Sequence, residues 1–240
     1  MTKRGAAPER RIGIYGGTFN PIHRGHLRSA IEVAKALDLD RIVFIPSAQP
    51  PHKPEDGEDS IAPAALRLAW VERAIEDEPL FEVDPIELER DGPSYSVDTM
   101  SELVERLKPA RLVFIIGHDA FTLLGSWREP LRLLAMVDFA VTSRPPVMEG
   151  HLEAWLPACA KDAIEVSQDG RTGRHTKTGS KIDLVEIAAL DVSASEIRER
   201  IRNGESVSEL LPDAIRNAVI ESGCYPQPSQ SDKAGKERPC

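Results

Sequence analysis

The sequence predicts an α/β protein in which parallel strands form one doubly wound sheet with helices on both faces. Three observations carry this. Two short, continuously apolar runs, Arg41 to Ile45 (RIVFI) and Arg111 to Ile116 (RLVFII), have the character of strands buried on both faces. Stretches with helical spacing of apolar residues lie between such runs, so strands and helices alternate. Gly16-Gly17 and Gly117-His118-Asp119 follow strand-like runs, at the carboxyl ends where open sheets of this kind take ligands.

The elements follow in order. Arg11 to Gly16 (RIGIYG) is a first strand, and His26 to Leu39 a helix with Leu27, Ala30, Ile31, Ala34 and Leu37 on one face. After the strand Arg41 to Ile45, the proline-rich, charged stretch Pro46 to Ser60 is an exposed loop. Ala62 to Ile75 is helical. Phe81 to Glu89 holds one or two short strands. Ser96 to Leu107 is a helix with Ser96 as its N-cap. The strand Arg111 to Ile116 precedes a helical stretch in which Pro130 suits a first turn. Met136 to Val141 and Ile182 to Ile187 are further strands. Ser193 to Arg202 and Pro212 to Glu221 are closing helices. Between them, Glu149 to Lys181 mixes an amphipathic piece around Trp155 with the polar run DGRTGRHTKTGSK, read as a mobile loop. The whole is a Rossmann-like doubly wound parallel sheet with a small helical C-terminal part. One domain spans 11–225, between a flexible N-terminal tail at 1–10 and a disordered C-terminal tail at 226–240.

Composition bounds the function. The chain has 240 residues, 41% hydrophobic and 29% charged, which is ordinary for a globular protein. A net charge of −9 argues against an extensive nucleic-acid surface but leaves room for a local basic pocket. Cys159, Cys224 and Cys240 form neither a disulfide framework nor a zinc pattern. The basic first residues lack an apolar core, and no apolar run approaches the roughly 20 residues of a membrane helix. The expectation is a cytoplasmic protein with no nucleic-acid or membrane partner and an open oligomeric state.

The stretch Gly13 to Leu27, GIYGGTFNPIHRGHL, carries the chemistry. Gly16 and Gly17 let a ligand approach the backbone. The following helix offers unpaired N–H groups and a positive dipole end to an anion. His23 and His26, at i and i+3, add donors on one side, with Gly25 leaving room between them. A polyphosphate fits these features. Each has a plain alternative: a tight turn, a zinc pair or exposed helix residues. The spacing is neither a dinucleotide fingerprint nor a Walker loop. Ser193 to Glu196 has the form of a capping box, and Arg198 a turn later makes a phosphate clamp. Asp119 has the alternative of capping the helix it precedes.

These residues resemble the HxGH nucleotidyltransferase superfamily, and in particular the bacterial nicotinate-nucleotide adenylyltransferases. Pro50-Pro51-His52-Lys53 resembles that family's PPHK loop. Pro93 to Thr99 resembles PSYTVDT, with Ser96 where threonine is usual. Ile116-Gly117-His118-Asp119 with Trp127 resembles IGxD and its tryptophan. Val192 to Arg198 resembles ISATxIR, with serine at Ser195, and Leu210-Leu211-Pro212 the closing LLP. The likeness covers Arg11 to Tyr225 and fails over Gly150 to Lys181.

The resemblance implies adenylyl transfer from ATP, with Mg²⁺, to nicotinate mononucleotide. His23, His26 and Arg198 are then the catalytic candidates. Gly16, Gly17, Thr18, Phe19, Asp119, Ser193, Ser195 and Arg198 would bind ATP, with Asp119 on the ribose and the serines on the β and γ phosphates. His52, Lys53, Tyr95, Thr99, Trp127 and Arg128 would bind the mononucleotide. The ring would stack on Trp127, and backbone N–H groups near Thr99 and Arg128 would hold the carboxylate. No residue is assigned to a metal. Pantetheine-phosphate adenylyltransferase shares HxGH but does not explain PSYSVDT or the IGHD and tryptophan pair. A non-catalytic nucleotide-binding module and a dinucleotide-binding oxidoreductase are the readings from other classes.

Overall fold

Strand β1 (Arg11–Gly17) runs parallel to β2 (Arg41–Pro46) on one side and to β4 (Arg111–Gly117) on the other. Beyond β2 lies β3 (Phe81–Val83). Beyond β4 lie β5 (Asp138–Ser143) and then β8 (Lys181–Glu186), all parallel. The computed structural model describes residues 10–48, 61–143, 152–188, 190 and 192–226. The expected tails, 1–10 and 226–240, fall almost wholly outside that range.

Alternation along the strands builds a core on each face. Ile42, Phe44, Val113 and Ile115 face one way, and Val43, Ile45, Leu112, Phe114 and Ile116 the other. The first face is covered by α1 (Arg24–Leu37), α2 (Ala64–Ile75), α7 (Ala194–Asn203) and α8 (Asp213–Glu221). The second is covered by α3 (Ser96–Arg106), α4 (His118–Thr122), α5 (Pro130–Met136) and the short α6 (Leu152–Trp155). Strands buried on both faces explain why their sequences are continuous apolar runs rather than alternating ones.

The structure differs from these readings in five places. The polar run after Asp169 is not a loop. It contains β7 (Thr172–His175), which pairs antiparallel with β6 (Ile164–Val166) and with the start of β8. The sheet is therefore mixed, with eight strands in the order β3-β2-β1-β4-β5-β8-β7-β6. Helix α3 has Tyr95, not Ser96, at its N-cap. Asp119 lies within the first turn of α4, which Gly117 precedes, so it is not that helix's cap. The strand expected from Met136 begins at Asp138, because α5 continues through Met136. Pro130 does open α5, and Ser193 does cap α7, its Oγ accepting the Glu196 N–H at 3.1 Å.

The chain steps outward from β1 to β2 and β3, then returns to place β4 on the other side of β1. The crevice between the carboxyl ends of β1 and β4 is the point where such sheets bind ligands. Among the described residues no helix is long and apolar enough to cross a membrane.

Candidate active site

Two cavities open at that crevice. One, of about 390 Å³, is lined by Tyr15, Gly25, His26, Asp119, Thr142 and Ser193, among others. The second, of about 510 Å³, is lined by Gly16, Gly17, Thr18, Tyr95, Trp127 and Arg128, among others that include Ser47 and Glu87. Tyr15 and Gly16 are consecutive yet line different cavities, and so are Asp119 and Ala120. The ends of β1 and β4 thus form the ridge between the two.

The HxGH segment begins α1. His23 is its N-cap residue and is buried, while His26 lines the first cavity. Their rings stack with centroids 3.7 Å apart. His26 Nδ1 accepts the His23 backbone N–H at 3.2 Å, one half of a reciprocal capping box. That bond fixes the tautomer: the neutral ring carries its proton on Nε2, where it is a donor. Phe19, buried at φ 48°, sets its ring edge-on to His26 at 5.2 Å. A bulky residue in the left-handed region is held there by its surroundings, at a cost of about 1–3 kcal/mol. Phe19 therefore supports His26 rather than lining either cavity.

Gly16, Gly17 and Thr18, expected on the ATP side, line the second cavity. Neither Gly16 nor Gly17 has a positive φ, and β1 runs through both. A Cβ on Gly17 would come within 2.9 Å of the Phe19 ring, so Gly17 makes way for that ring. A Cβ on Gly25 would come within 2.7 Å of Val192 and 3.0 Å of the His23 ring. The HxGH glycine thus lets the entry to α7 approach α1. Leu210, in the LLP stretch, accepts the Arg24 N–H at 2.9 Å, and Leu211 accepts from Arg24 Nε at 3.1 Å. That stretch seats the start of α1.

Arg198 departs from its expected place. It is buried and donates to the Asn20 carbonyl and to Ser195 Oγ, each at 3.1 Å. It is not among the residues lining the two cavities. Its guanidinium spans from α7 to the chain just after β1. Ser193 lines the first cavity, and Ser195 is exposed beside Arg198. Asp119 is fully exposed at the rim, 3.3 Å from His118 Nδ1.

In the second cavity Trp127 is half-buried and packs on Phe114 at 6.3 Å. Arg128 lies over the Tyr95 ring at 4.8 Å and 3.7 Å from Asp98. Thr99 does not face this cavity. It is fully buried, its N–H donates to the Tyr95 carbonyl at 3.1 Å, and its hydroxyl donates to Glu87 at 2.9 Å. The wall is instead made by Ser94, Tyr95 and Ser96, the entry to α3. Glu87 has its pKa raised, first by burial, against the opposing bond from Thr99 and the charge of Arg90. His52 and Lys53 lie outside the described residues.

Sequence reasoning missed two groups. Glu87 gave no signal in its weakly alternating stretch. Arg67 is fully buried in α2, where Arg67, Trp70, Val71 and Ile75 share the inward face. An arginine at a position where helical spacing demands an apolar residue is the signal that marks it.

A two-cavity crevice at a sheet's switch point, with a donor histidine on a helix N-terminus, is the architecture of a nucleotidyltransferase. A family model described as cytidylyltransferase-like matches residues 14–200. A probable nicotinate-nucleotide adenylyltransferase of Chromohalobacter salexigens is 40% identical over 218 residues, covering 90% of this chain and 95% of that protein. Another, from Halorhodospira halophila, is 40% identical over 223 residues, covering 92% and 98%. The chain belongs to the nicotinate-nucleotide adenylyltransferase family. Its fold matches that of Plasmodium falciparum nicotinic acid mononucleotide adenylyltransferase complexed with NaAD, with a TM-score of 0.66 at 17% identity over 90% of this chain and 98% of that one.

Proposed function

We propose that the chain transfers the adenylyl group of ATP to nicotinate mononucleotide, giving deamido-NAD and pyrophosphate in NAD biosynthesis. The observation that carries this reading is the pair of cavities on either side of one ridge. The more polar cavity, beside the start of α1, suits ATP, and the aromatic one suits a pyridine ring.

An oxygen of the mononucleotide's 5′-phosphate attacks the α-phosphorus of ATP in line. The new P–O bond forms as the bond to the bridging oxygen breaks, and that electron pair leaves with pyrophosphate. The attacking phosphate is already an anion near neutral pH, so no covalent enzyme intermediate is needed. Positioning and charge stabilisation supply the catalysis. His26, with its proton on Nε2, donates to the departing phosphates, helped by the positive end of α1. Ser193 and the start of α7 take the outer phosphates, and Asp119 the adenosine ribose. His23 acts through His26, and Arg198 through Asn20 and Ser195.

The pyridine ring stacks on Trp127. Because the Thr99 N–H is used within α3, we place the carboxylate at the Tyr95–Ser96 entry to that helix, whose N-terminal end favours an anion. Among the described residues no group of three His, Cys, Asp or Glu side chains is arranged to hold a metal. Mg²⁺ would come with the substrate as MgATP and would offset charge on the phosphates. The setting proposed is cytoplasmic.

The test is incubation with MgATP and nicotinate mononucleotide. Equal amounts of pyrophosphate and deamido-NAD are expected. Turnover of 4′-phosphopantetheine instead would assign the chain to the sister activity.

A further inference from the structure

The buried guanidinium of Arg67 is used by none of the chemistry above. It is 1% exposed and makes four hydrogen bonds, all to backbone carbonyls. Nη1 donates to Thr18 at 2.6 Å, Nη2 to Ser47 at 2.7 Å and to Ala48 at 3.0 Å, and Nε to Ala62 at 2.9 Å. These carbonyls belong to three separate stretches: the exit from β1, the exit from β2 and the approach to α2. Ala48 and Ala62 flank residues 49–60, so both flanks are tied at one point.

Two of the four, Thr18 and Ser47, line the aromatic cavity, and none of the four lines the polar one. The same segment is held from its other side. Arg198 donates to the Asn20 carbonyl, while Asn20 Oδ1 accepts from the Ala62 N–H at 3.0 Å and from Tyr225 Oη at 2.7 Å. Thr18 to Asn20 is thus gripped by two buried arginines from two different helices. A planar fork satisfies several carbonyls at fixed angles, which an ammonium cannot do. Burying a cation is costly, and burial pushes this one's pKa below its ordinary value. An apolar side chain on the inward face of α2 would fill the space without that cost.

We infer that Arg67 is a positioning residue for the mononucleotide cavity: its fork sets the Thr18 and Ser47 walls, and none of its four acceptors lines the ATP cavity. This rests on the functional reading given above. It separates Arg67 from Arg198, which lies between the start of α7 and the chain after β1.

The experiment measures both Michaelis constants for Arg67→Lys and Arg67→Gln, with folding checked by circular dichroism. Misplacing a binding wall by about 1 Å costs up to roughly 10²-fold. The expected result for Arg67→Lys is a KM for nicotinate mononucleotide raised about tenfold or more, with the KM for ATP within about twofold of wild type. A purely structural arginine lowers the active fraction, and so the apparent kcat, without moving either KM. That outcome overturns the assignment, as does an equal rise in both KM values or failure of both variants to fold. Wild-type turnover is the control. Its absence defeats the functional reading, whereas an active wild type with unchanged KM values in the variants defeats only the role of Arg67.

Discussion

The two cavities share a ridge but are built from different materials. On the side we assign to ATP the lining is the more polar of the two and includes the starts of three helices: His26 in the first turn of α1, Asp119 in that of α4, Ser193 capping α7. On the mononucleotide side the lining is aromatic and apolar, with Trp127, Tyr95 and Phe114 around the glycines of β1. In the proposed reaction the first surface would offer donors where charge develops in the transition state, and the second area that holds a ring equally before and during reaction. Interactions made only in the transition state raise kcat, and uniform ones lower KM. Lesions on the two sides should therefore appear in different kinetic constants.

The largest expected effect sharpens the ATP side. His26→Ala should lower kcat by about 10²–10³, the usual cost of one transition-state donor, with little change in the KM for ATP. Steady-state kinetics with saturating mononucleotide check this, and an unchanged kcat removes His26 from the chemistry. Next in size is the choice of acid over amide at the other cavity. At a helix entry that favours an anion, the amide brings its own N–H₂ against donors. Buried donors left unpaired cost about 1–3 kcal/mol each. Nicotinate mononucleotide should exceed nicotinamide mononucleotide by on the order of 10²-fold in kcat/KM. Equal values would overturn the carboxylate placement and leave the His26 argument standing. Trp127→Ala should weaken both mononucleotides alike, by roughly tenfold in KM, since stacking ignores the substituent.

The smallest effect is on stability and belongs to Glu87. Its pKa is raised in the folded state, first by burial, so folding favours the protonated form. That contribution is complete below the ordinary carboxylate value and is lost as pH rises through the folded one. Glu87→Gln keeps an oxygen for the Thr99 hydroxyl and has no charge to bury. The variant should melt above wild type at pH 8, with the difference gone below about pH 4. Thermal melts across that range decide it, and a variant that melts lower at pH 8 contradicts the account.

The central sheet was legible because strands buried on both faces must be apolar throughout, as RIVFI and RLVFII are. The antiparallel edge was not. In β7 the inward positions are Gly173 and His175, neither of which looks like core. Gly173 is needed there because a Cβ would come within 2.8 Å of Leu152, and His175 Nδ1 accepts from the Lys177 and Thr178 N–H groups within the turn. Hydrophobic alternation cannot detect a strand whose buried side is a glycine and a hydrogen-bonded histidine.

The site was legible where residues face the crevice and opaque where they act behind it. His26, Asp119 and Ser193 line one cavity, and Tyr95, Trp127 and Arg128 line the other together with Gly16, Gly17 and Thr18. Phe19, Thr99 and Arg198 belong to motifs of the same family and sit in the layer beneath. A motif marks which residues a site needs and is silent on which of them meet the substrate.

The most direct test of this division of labour places His26→Ala and Trp127→Ala in one assay, with ATP and nicotinate mononucleotide each varied. The account predicts that the losses separate: His26→Ala falls in kcat with both KM values near wild type, and Trp127→Ala rises in the mononucleotide KM with that for ATP unchanged. Losses of both variants in the same constant, or an ATP KM raised by Trp127→Ala, would contradict it.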